Sequence, residues 1–383
     1  MSKELTRLYV QTDEALTSLC TQLAKASIIA VDTEFVRTRT LYPKLGLLQV
    51  NDGATLALID PITINDLSPF WAVMSDANVC KVLHACSEDL EVFLSVGKCK
   101  PENLIDSQVI MSFLGHGLSM GYAAMVKHYT EIELDKSESR TDWTKRPLTQ
   151  KQFTYAEADV EHLFEIFPKL LADIEAKGFF SYAQQESQNM IERKFSPLDY
   201  DNLYRNVKLS WKLSSEQLNN LKYLTIWRYQ QAQKRNMPIG FIAKDHTLFA
   251  LAYRMPTSIF EMQKLEGAEM LDVKHKGNAM LEVLQKAQLT PENEYPNKIT
   301  RLDEYPGYKE AYKKVKAFLL NIAESIELAL ENIASKKQIN HFLSWVFHIN
   351  DAEKNTASVD LLNSWRGELL GDKLKAFAEN KFA

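Results

Sequence analysis

The sequence predicts an α/β domain, a mixed sheet flanked by helices, followed by two all-α helical modules. Short apolar runs of strand length, separated by turn residues and helix-periodic segments, are confined to roughly the first 195 of the 383 residues. Two of these runs, residues 45–50 and 55–59, are joined by Asn51-Asp52-Gly53, a hairpin signal that makes part of the sheet antiparallel. Beyond Gly178 the composition turns helical and polar, and the charge changes sign. Residues 1–190 hold 17 Lys+Arg against 26 Asp+Glu, a net of −9, whereas residues 191–383 hold 28 against 24, a net of +4. Most of that positive charge lies in 191–290, with 15 against 10. The expected divisions are 1–195, 208–290 and 298–383.

In chain order, a helical lead-in at 12–25 precedes the opening strand, Ser27-Ile28-Ile29-Ala30-Val31-Asp32-Thr33-Glu34-Phe35. Strand alternation puts Ile28, Ala30, Asp32 and Glu34 on one face, so the strand ends in two adjacent carboxylates. Such a pair resists joint ionisation unless a cation lies between, and hard divalent cations need further carboxylate oxygens from elsewhere. After the hairpin, residues 79–84 form another strand, and Ser87 is the expected N-cap of a helix with Glu88 and Asp89 in its first turn. Helical patterns follow at 103–114, with Asp106 as a cap, and at 119–129. The polar stretch 134–147 interleaves Lys136, Arg140 and Arg146 with Trp143, a composition suited to phosphate and base contacts. Thr149 and Gln152 form a capping box that opens a helix presenting Tyr155 and Asp159 on one face, four residues apart. Pro168 is expected to kink or end it. Phe195-Ser196-Pro197 reads as a linker, two helical modules span 211–287 and 308–374, and residues 291–297 connect them.

Each acid also has an ordinary explanation. The strand can simply run out into solvent, an acid at Asp89 complements the helix dipole, and Tyr155 and Asp159 can be surface residues. Taken together, Asp32, Glu34, Asp89 and Asp159 form a set able to hold two divalent ions for phosphodiester cleavage, with Tyr155 one turn before the last.

The remaining composition narrows the class. A net charge of −5 and a pI near 6.0 exclude a globally basic nucleic-acid binder. The four cysteines show no Cys-x-x-Cys spacing, which disfavours zinc and a disulfide scaffold. The start, Met1-Ser2-Lys3-Glu4-Leu5, lacks an apolar signal core, and no run reaches membrane-spanning length, so a reduced, cytoplasmic protein is expected.

Val31-Asp32-Thr33-Glu34-Phe35 resembles the first motif of the DEDD exonuclease superfamily, Asp-x-Glu. His84-Ala85-Cys86-Ser87-Glu88-Asp89 is similar to the second, and Tyr155-Ala156-Glu157-Ala158-Asp159 to the third, Tyr-x-x-x-Asp, of its tyrosine-bearing branch. Leu47-Leu48-Gln49, Leu134-Asp135-Lys136-Ser137, Arg140, Asp142-Trp143 and Arg146-Pro147 look like ribonuclease D, and the two modules resemble helicase-and-RNase-D C-terminal (HRDC) domains, the first more clearly. The resemblance implies an RNase H-like exonuclease domain carrying two HRDC-like domains. It also implies a 3′→5′ exoribonuclease using two Mg²⁺ or Mn²⁺ ions, which trims the single-stranded 3′ ends of tRNA precursors and other small structured RNAs and releases 5′ nucleoside monophosphates. The resemblance makes Asp32, Glu34, Asp89 and Asp159 the metal ligands and Tyr155 a fifth catalytic residue. Phe35, Gln49, Lys136, Arg140 and Trp143 are expected substrate contacts, and no obligate protein partner is called for. A DNA 3′ exonuclease and a non-catalytic RNA-binding protein that keeps the fold are the alternatives.

Overall fold

A computed structural model describes residues 5–349 and 359–382. Residues 1–4, part of the start that reads as unlike a signal peptide, and residue 383, the end of the third expected division, lie outside it. The first domain runs β1 (Thr6–Val10), α1 (Asp13–Leu23), β2 (Ile28–Val36), β3 (Lys44–Asn51), β4 (Thr55–Ile59), α2 (Ser68–Met74), β5 (Cys80–Leu83), α3 (Asp89–Val92), β6 (Leu104–Asp106), α4 (Ser107–Phe113), α5 (Tyr122–Thr130), α6 (Gln150–Ala176) and α7 (Phe180–Phe195). The sheet order is β1-β4-β3-β2-β5-β6. The strands β2, β3 and β4 pair antiparallel in sequence, while β1 on β4, β5 on β2 and β6 on β5 are parallel. The sheet is therefore mixed, with β2 inside it and buried on both faces.

Two apolar layers enclose the sheet. Leu16, Ile29, Val31, Phe70 and Leu90 pack on one face, and Ala30, Leu47, Leu58, Ala156 and Val160 on the other. Alternation along β2 thus sends odd positions to the α1–α3 side and even ones toward α6.

Three local expectations are corrected. β1 and β6 are strands that the sequence reading assigned to no element and to the start of a helix, respectively. β6 has only three residues, too short for a periodicity signal, and Asp106 at its end caps α4 by accepting from the Gln108 amide at 2.8 Å. Ser87 is not the N-cap of α3, because the chain first makes a turn at Ala85, where φ is +57°. The Asp106 carboxylate holds that turn by accepting from the Ala85 and Cys86 amides, both at 2.9 Å, and the helix begins only at Asp89. Pro168 does not end α6, which continues to Ala176. An interior proline costs about 3 kcal/mol, whereas Ile166, Phe167, Leu170 and Ile174 around it are all buried. Each such side chain contributes about 1.5–3 kcal/mol, so burial wins. The capping box at Thr149 and Gln152 is present.

The first helical module comprises α8 (Ser215–Arg235), α9 (Ile239–Ile242), α10 (Asp245–Arg254), α11 (Ile259–Gln263) and α12 (Met270–Ala287). It has a core of its own around Leu221, Leu248 and Met280. The second comprises α13 (Tyr308–Ser325), α14 (Leu330–Ile333), α15 (Lys336–Val346), α16 (Ser364–Arg366) and α17 (Asp372–Glu379). Its attachment differs, since Trp365 and Leu328 belong to the core of the first domain. Trp365 packs edge-on against Phe113 and stacks on Tyr182, and its indole N–H donates to Glu186. The adjacent Arg366 is paired with the same carboxylate. No described helix is long and apolar enough to cross a membrane.

Candidate active site

Four carboxylates converge at the carboxyl end of β2. Asp32 and Glu34 come from the strand itself, facing α6, and Asp159 comes from α6. Ligand oxygens of these three lie within 4.8 Å of one another. Asp89 approaches from α3 on the opposite side of the strand, where its Oδ1 accepts from the Thr33 hydroxyl at 2.5 Å. All four line one cleft of about 250 Å³ with Phe35, Tyr155 and His84. Thr33 alternates to the face opposite Asp32, so one strand supplies two acids to one side and a tether for the third acid on the other.

The electrostatics are those of a site lacking its counter-charge. Burial pushes Asp32 well above the carboxylate range, and Asp159, Asp89 and Glu34 push it further. Burial, then Asp159 and Asp89, raise Glu34 to about 9. Burial and then Asp89 raise Asp159 to about 8. Burial lifts Asp89 to about 6, with the Thr33 hydrogen bond pulling the other way. Among the described residues none of these acids is paired with a Lys, Arg or His. Four crowded carboxylates, one buried and three half-buried, with hard oxygen donors and no paired protein cation fit divalent metal ions, which would bring them back to the charged form. Burial, followed by Asp159, Glu34 and Asp32, also drives the Tyr155 phenol upward, so at neutral pH it keeps its proton.

The expected substrate contacts divide. Phe35 is half-buried and lines the cleft. Lys136 and Arg140 are exposed, and Lys136 lines an adjoining cleft of about 560 Å³ that also reaches Tyr155 and Asp159. Two expectations are corrected. Gln49 pairs in register with Asp32 across β2 and β3, yet it is fully buried, so it has no surface to offer a terminal nucleotide. Trp143 is 1% exposed and sits in the core with its ring 5.9 Å from that of Tyr155, so it supports the site from beneath and presents no face to a base. Arg146 is likewise structural. Its guanidinium makes two 2.6 Å bonds to the buried Asp60 and donates to the carbonyls of Gly46 and Trp143, tying the 134–147 stretch to the sheet.

Sequence reasoning missed Thr33, Tyr122 and Ser139. Tyr122 donates to the Ala158 carbonyl at 2.8 Å, one residue before Asp159, and packs edge-on against His84. No spacing rule marks these residues, because they reach the site across elements. The His84 imidazole, bonded to Ser107 Oγ and the Met120 carbonyl, is fixed on both nitrogens.

Comparison with known proteins finds relatives over nearly the whole chain. A family model described as 3′-5′ exonuclease matches residues 8–175, one described as HRDC domain matches 217–284, and one described as ribonuclease D, C-terminal HRDC domain, matches 306–374. Ribonuclease D of Cronobacter turicensis is 40% identical over 371 residues, covering 97% of this chain and all of the relative. That of Escherichia coli is 40% identical over 365 residues, covering 95% and 96%. The crystal structure of Escherichia coli RNase D, described as an exoribonuclease involved in structured RNA processing, superposes with a TM-score of 0.92 at 39% identity, covering 97% and 98% of the two chains.

Proposed function

Given that the chain belongs to the ribonuclease D family and is a 3′→5′ exoribonuclease, we propose that it trims single-stranded 3′ ends of structured RNAs, tRNA precursors among them, at the acid cluster of β2, α3 and α6. The observation that carries this reading is the convergence of four acids, Asp89 buried and the other three half-buried, with no cation of the described residues paired to them. Asp32, Glu34, Asp89 and Asp159 would hold two divalent ions, Mg²⁺ or Mn²⁺, which when bound supply Lewis-acid activation of water and stabilisation of the leaving 3′ oxygen.

The remaining work falls to the chain. Asp32 and Glu34 are fixed by a strand paired with β3 at both positions, and Asp159 by a helix braced at Ala158 by Tyr122, so the acids are preorganised at little entropic cost. Thr33 holds Asp89 in its rotamer. Tyr155 keeps its proton and acts as a donor, holding the attacking water or a non-bridging phosphate oxygen in line. A phenol that holds its proton at neutral pH suits positioning better than proton abstraction, and activation of the water would fall to the bound ions. Phe35 sits at the cleft wall where a terminal base would stack. Release of the terminal residue as a 5′ monophosphate follows from water attacking the last phosphodiester with the 3′ oxygen of the preceding nucleotide as leaving group.

The test is a time course on 5′-labelled RNA carrying a single-stranded 3′ extension, with Mg²⁺ or Mn²⁺, beside a matched DNA strand. The expected result is a ladder shortening one nucleotide at a time, monophosphate product, preference for RNA and loss of all three in Asp159→Asn. Internal cleavage, or full activity in that variant, would overturn the reading. Relative kcat/KM for a tRNA precursor and an unrelated stem with the same tail tests the substrate class.

A further inference from the structure

The first helical module holds the loop that follows the catalytic strand, chiefly through a residue with an unusual position. Asn236 follows α8 in the left-handed conformation, φ +47°, closing the helix. Its side-chain carbonyl turns away from its own helix and accepts from two consecutive amides of the first domain, Leu41 at 3.1 Å and Tyr42 at 3.0 Å. A turn earlier, Gln233 Nε2 reaches the Tyr42 hydroxyl at 3.4 Å, and Gln233 Oε1 accepts from Tyr200 at 3.0 Å.

The segment so held is the direct continuation of the strand that bears Asp32 and Glu34. Between the end of β2 at Val36 and the start of β3 at Lys44 lie Arg37, Thr38 and Arg39, all exposed. Arg37 lies 3.8 Å from Glu88, the neighbour of Asp89, which puts this stretch at the rim of the acid cleft. Arg39 has no ion-pair partner among the described residues. Thr40 folds back on the Tyr42 carbonyl at 2.6 Å, so the far half of the loop is ordered from within and then clamped by Asn236. Arg37 beside the acid cleft, and Arg39 two residues further along the same exposed segment, form no ion pair with the four acids. The two guanidiniums suit the phosphates of a chain whose last linkage enters that cleft.

We propose that Asn236 is a positioning residue through which the first helical module sets the Arg37–Arg39 segment, and that Arg39 binds a backbone phosphate upstream of the scissile bond. This deepens, and rests on, the exoribonuclease reading. The module thereby completes an RNA-binding edge of the catalytic domain in addition to any contact of its own with RNA. The rim, not the acids, depends on the latch, because Asp32 and Glu34 are held in register with Gln49 and Leu47 of β3.

The left-handed backbone permits a clean experiment. Glycine at 236 keeps the helix end at no steric cost while deleting the latch, and aspartate tolerates the same conformation and keeps an acceptor oxygen. On single-stranded RNA, Asn236→Gly is expected to raise KM about ten-fold, the lower end of the scale for one lost charge-assisted contact. The kcat should stay within about two-fold of the parent and the melting temperature should not fall. Asn236→Asp should restore KM. Arg39→Ala should raise KM by a similar factor, and the double variant by no more than Arg39→Ala alone, since both remove one contact. An unchanged KM in Asn236→Gly, or effects that multiply in the double variant, would overturn the proposal, the latter showing that the module acts through RNA contacts of its own. Failure of the exoribonuclease reading would appear separately, as a parent protein without 3′ trimming.

Discussion

Two groups of buried carboxylates in this molecule face opposite ways. At Asp60 and Glu186, burial works against ionisation, but arginines overcome it. Arg146 and then Tyr9 hold Asp60 below its usual range, and Arg366, with Trp365 and Arg193, does the same for Glu186. At the buried Asp89 and the half-buried Asp32, Glu34 and Asp159, no cation of the described residues answers the loss of water, and every value is pushed up. The first group fastens parts together: Asp60 ties the 134–147 stretch to the sheet, and Glu186 ties the second helical module to the first domain. The second group leaves its charge unanswered so that a ligand can answer it. An acid held by its own arginine is a finished interaction, whereas a cluster of acids without one is a candidate binding site.

The largest effects separate the groups by what is lost. Asp32→Asn or Asp159→Asn should lower RNA trimming at least about 10²-fold, the scale for removing one preorganised electrostatic contact. The same variants should melt higher than the parent in chelator, because a repulsion has been relieved. Activity that survived, or a drop in metal-free stability, would erase the distinction. Arg366→Met should do the reverse. It strands Glu186 in the interface and costs about 3 kcal/mol, the usual scale for breaking a buried pair from one side, read as a lower denaturation midpoint. Trimming per folded molecule should change little.

Titration sharpens the contrast. For the cleft acids the folded values lie above the unfolded ones. Their stabilising contribution is therefore full below about pH 4 and is lost as pH rises through about 6 for Asp89, 8 for Asp159 and 9 for Glu34. For Asp60 and Glu186 the folded values are depressed, so their contribution is present above the unfolded value and disappears as pH falls through the folded one. In chelator, the melting temperature should decline from pH 5 to pH 9, and saturating Mg²⁺ should flatten that decline. Asp159→Asn should flatten it without metal. A parent slope of the opposite sign would show that the cleft acids are not held protonated.

How much of this was legible in the sequence depends on how local each feature is. Asp32 and Glu34 could be placed on one face because strand alternation is a two-residue rule, and Tyr155 with Asp159 because a helix turn is a four-residue one. The hairpin at Asn51-Asp52-Gly53 and the capping box at Thr149 are equally local. Nothing local relates Thr33 to Asp89, Asn236 to Leu41, or Arg366 to Glu186, which lie 56, 195 and 180 positions apart. Those pairings exist only once the sheet order and module docking are known. Trp143 and Arg146 were misread for the same reason. A tryptophan among basic residues suits RNA until Gly46 is seen to leave room for it: a Cβ there would stand 2.6 Å from the Trp143 carbonyl oxygen.

Gln49 belongs to neither group of acids and offers the smallest, most discriminating effect. It sits in register with Asp32, fully buried, and both its amide nitrogen and oxygen lack a hydrogen-bond partner within the protein. A buried amide with no partner costs about 1–3 kcal/mol, and an apolar side chain of similar size removes that cost. Gln49→Leu should therefore raise the metal-free denaturation midpoint slightly, by about 1 kcal/mol, with trimming reduced less than about ten-fold. Gln49→Glu would add a further acid without a cation beside Asp32. It should destabilise the metal-free protein at pH 8 more than at pH 5, as the cleft acids do and the arginine-paired acids do not. If Gln49→Leu instead destabilises, the amide has a partner after all, and a bridging water between it and the cleft becomes the first place to look in a metal-loaded crystal.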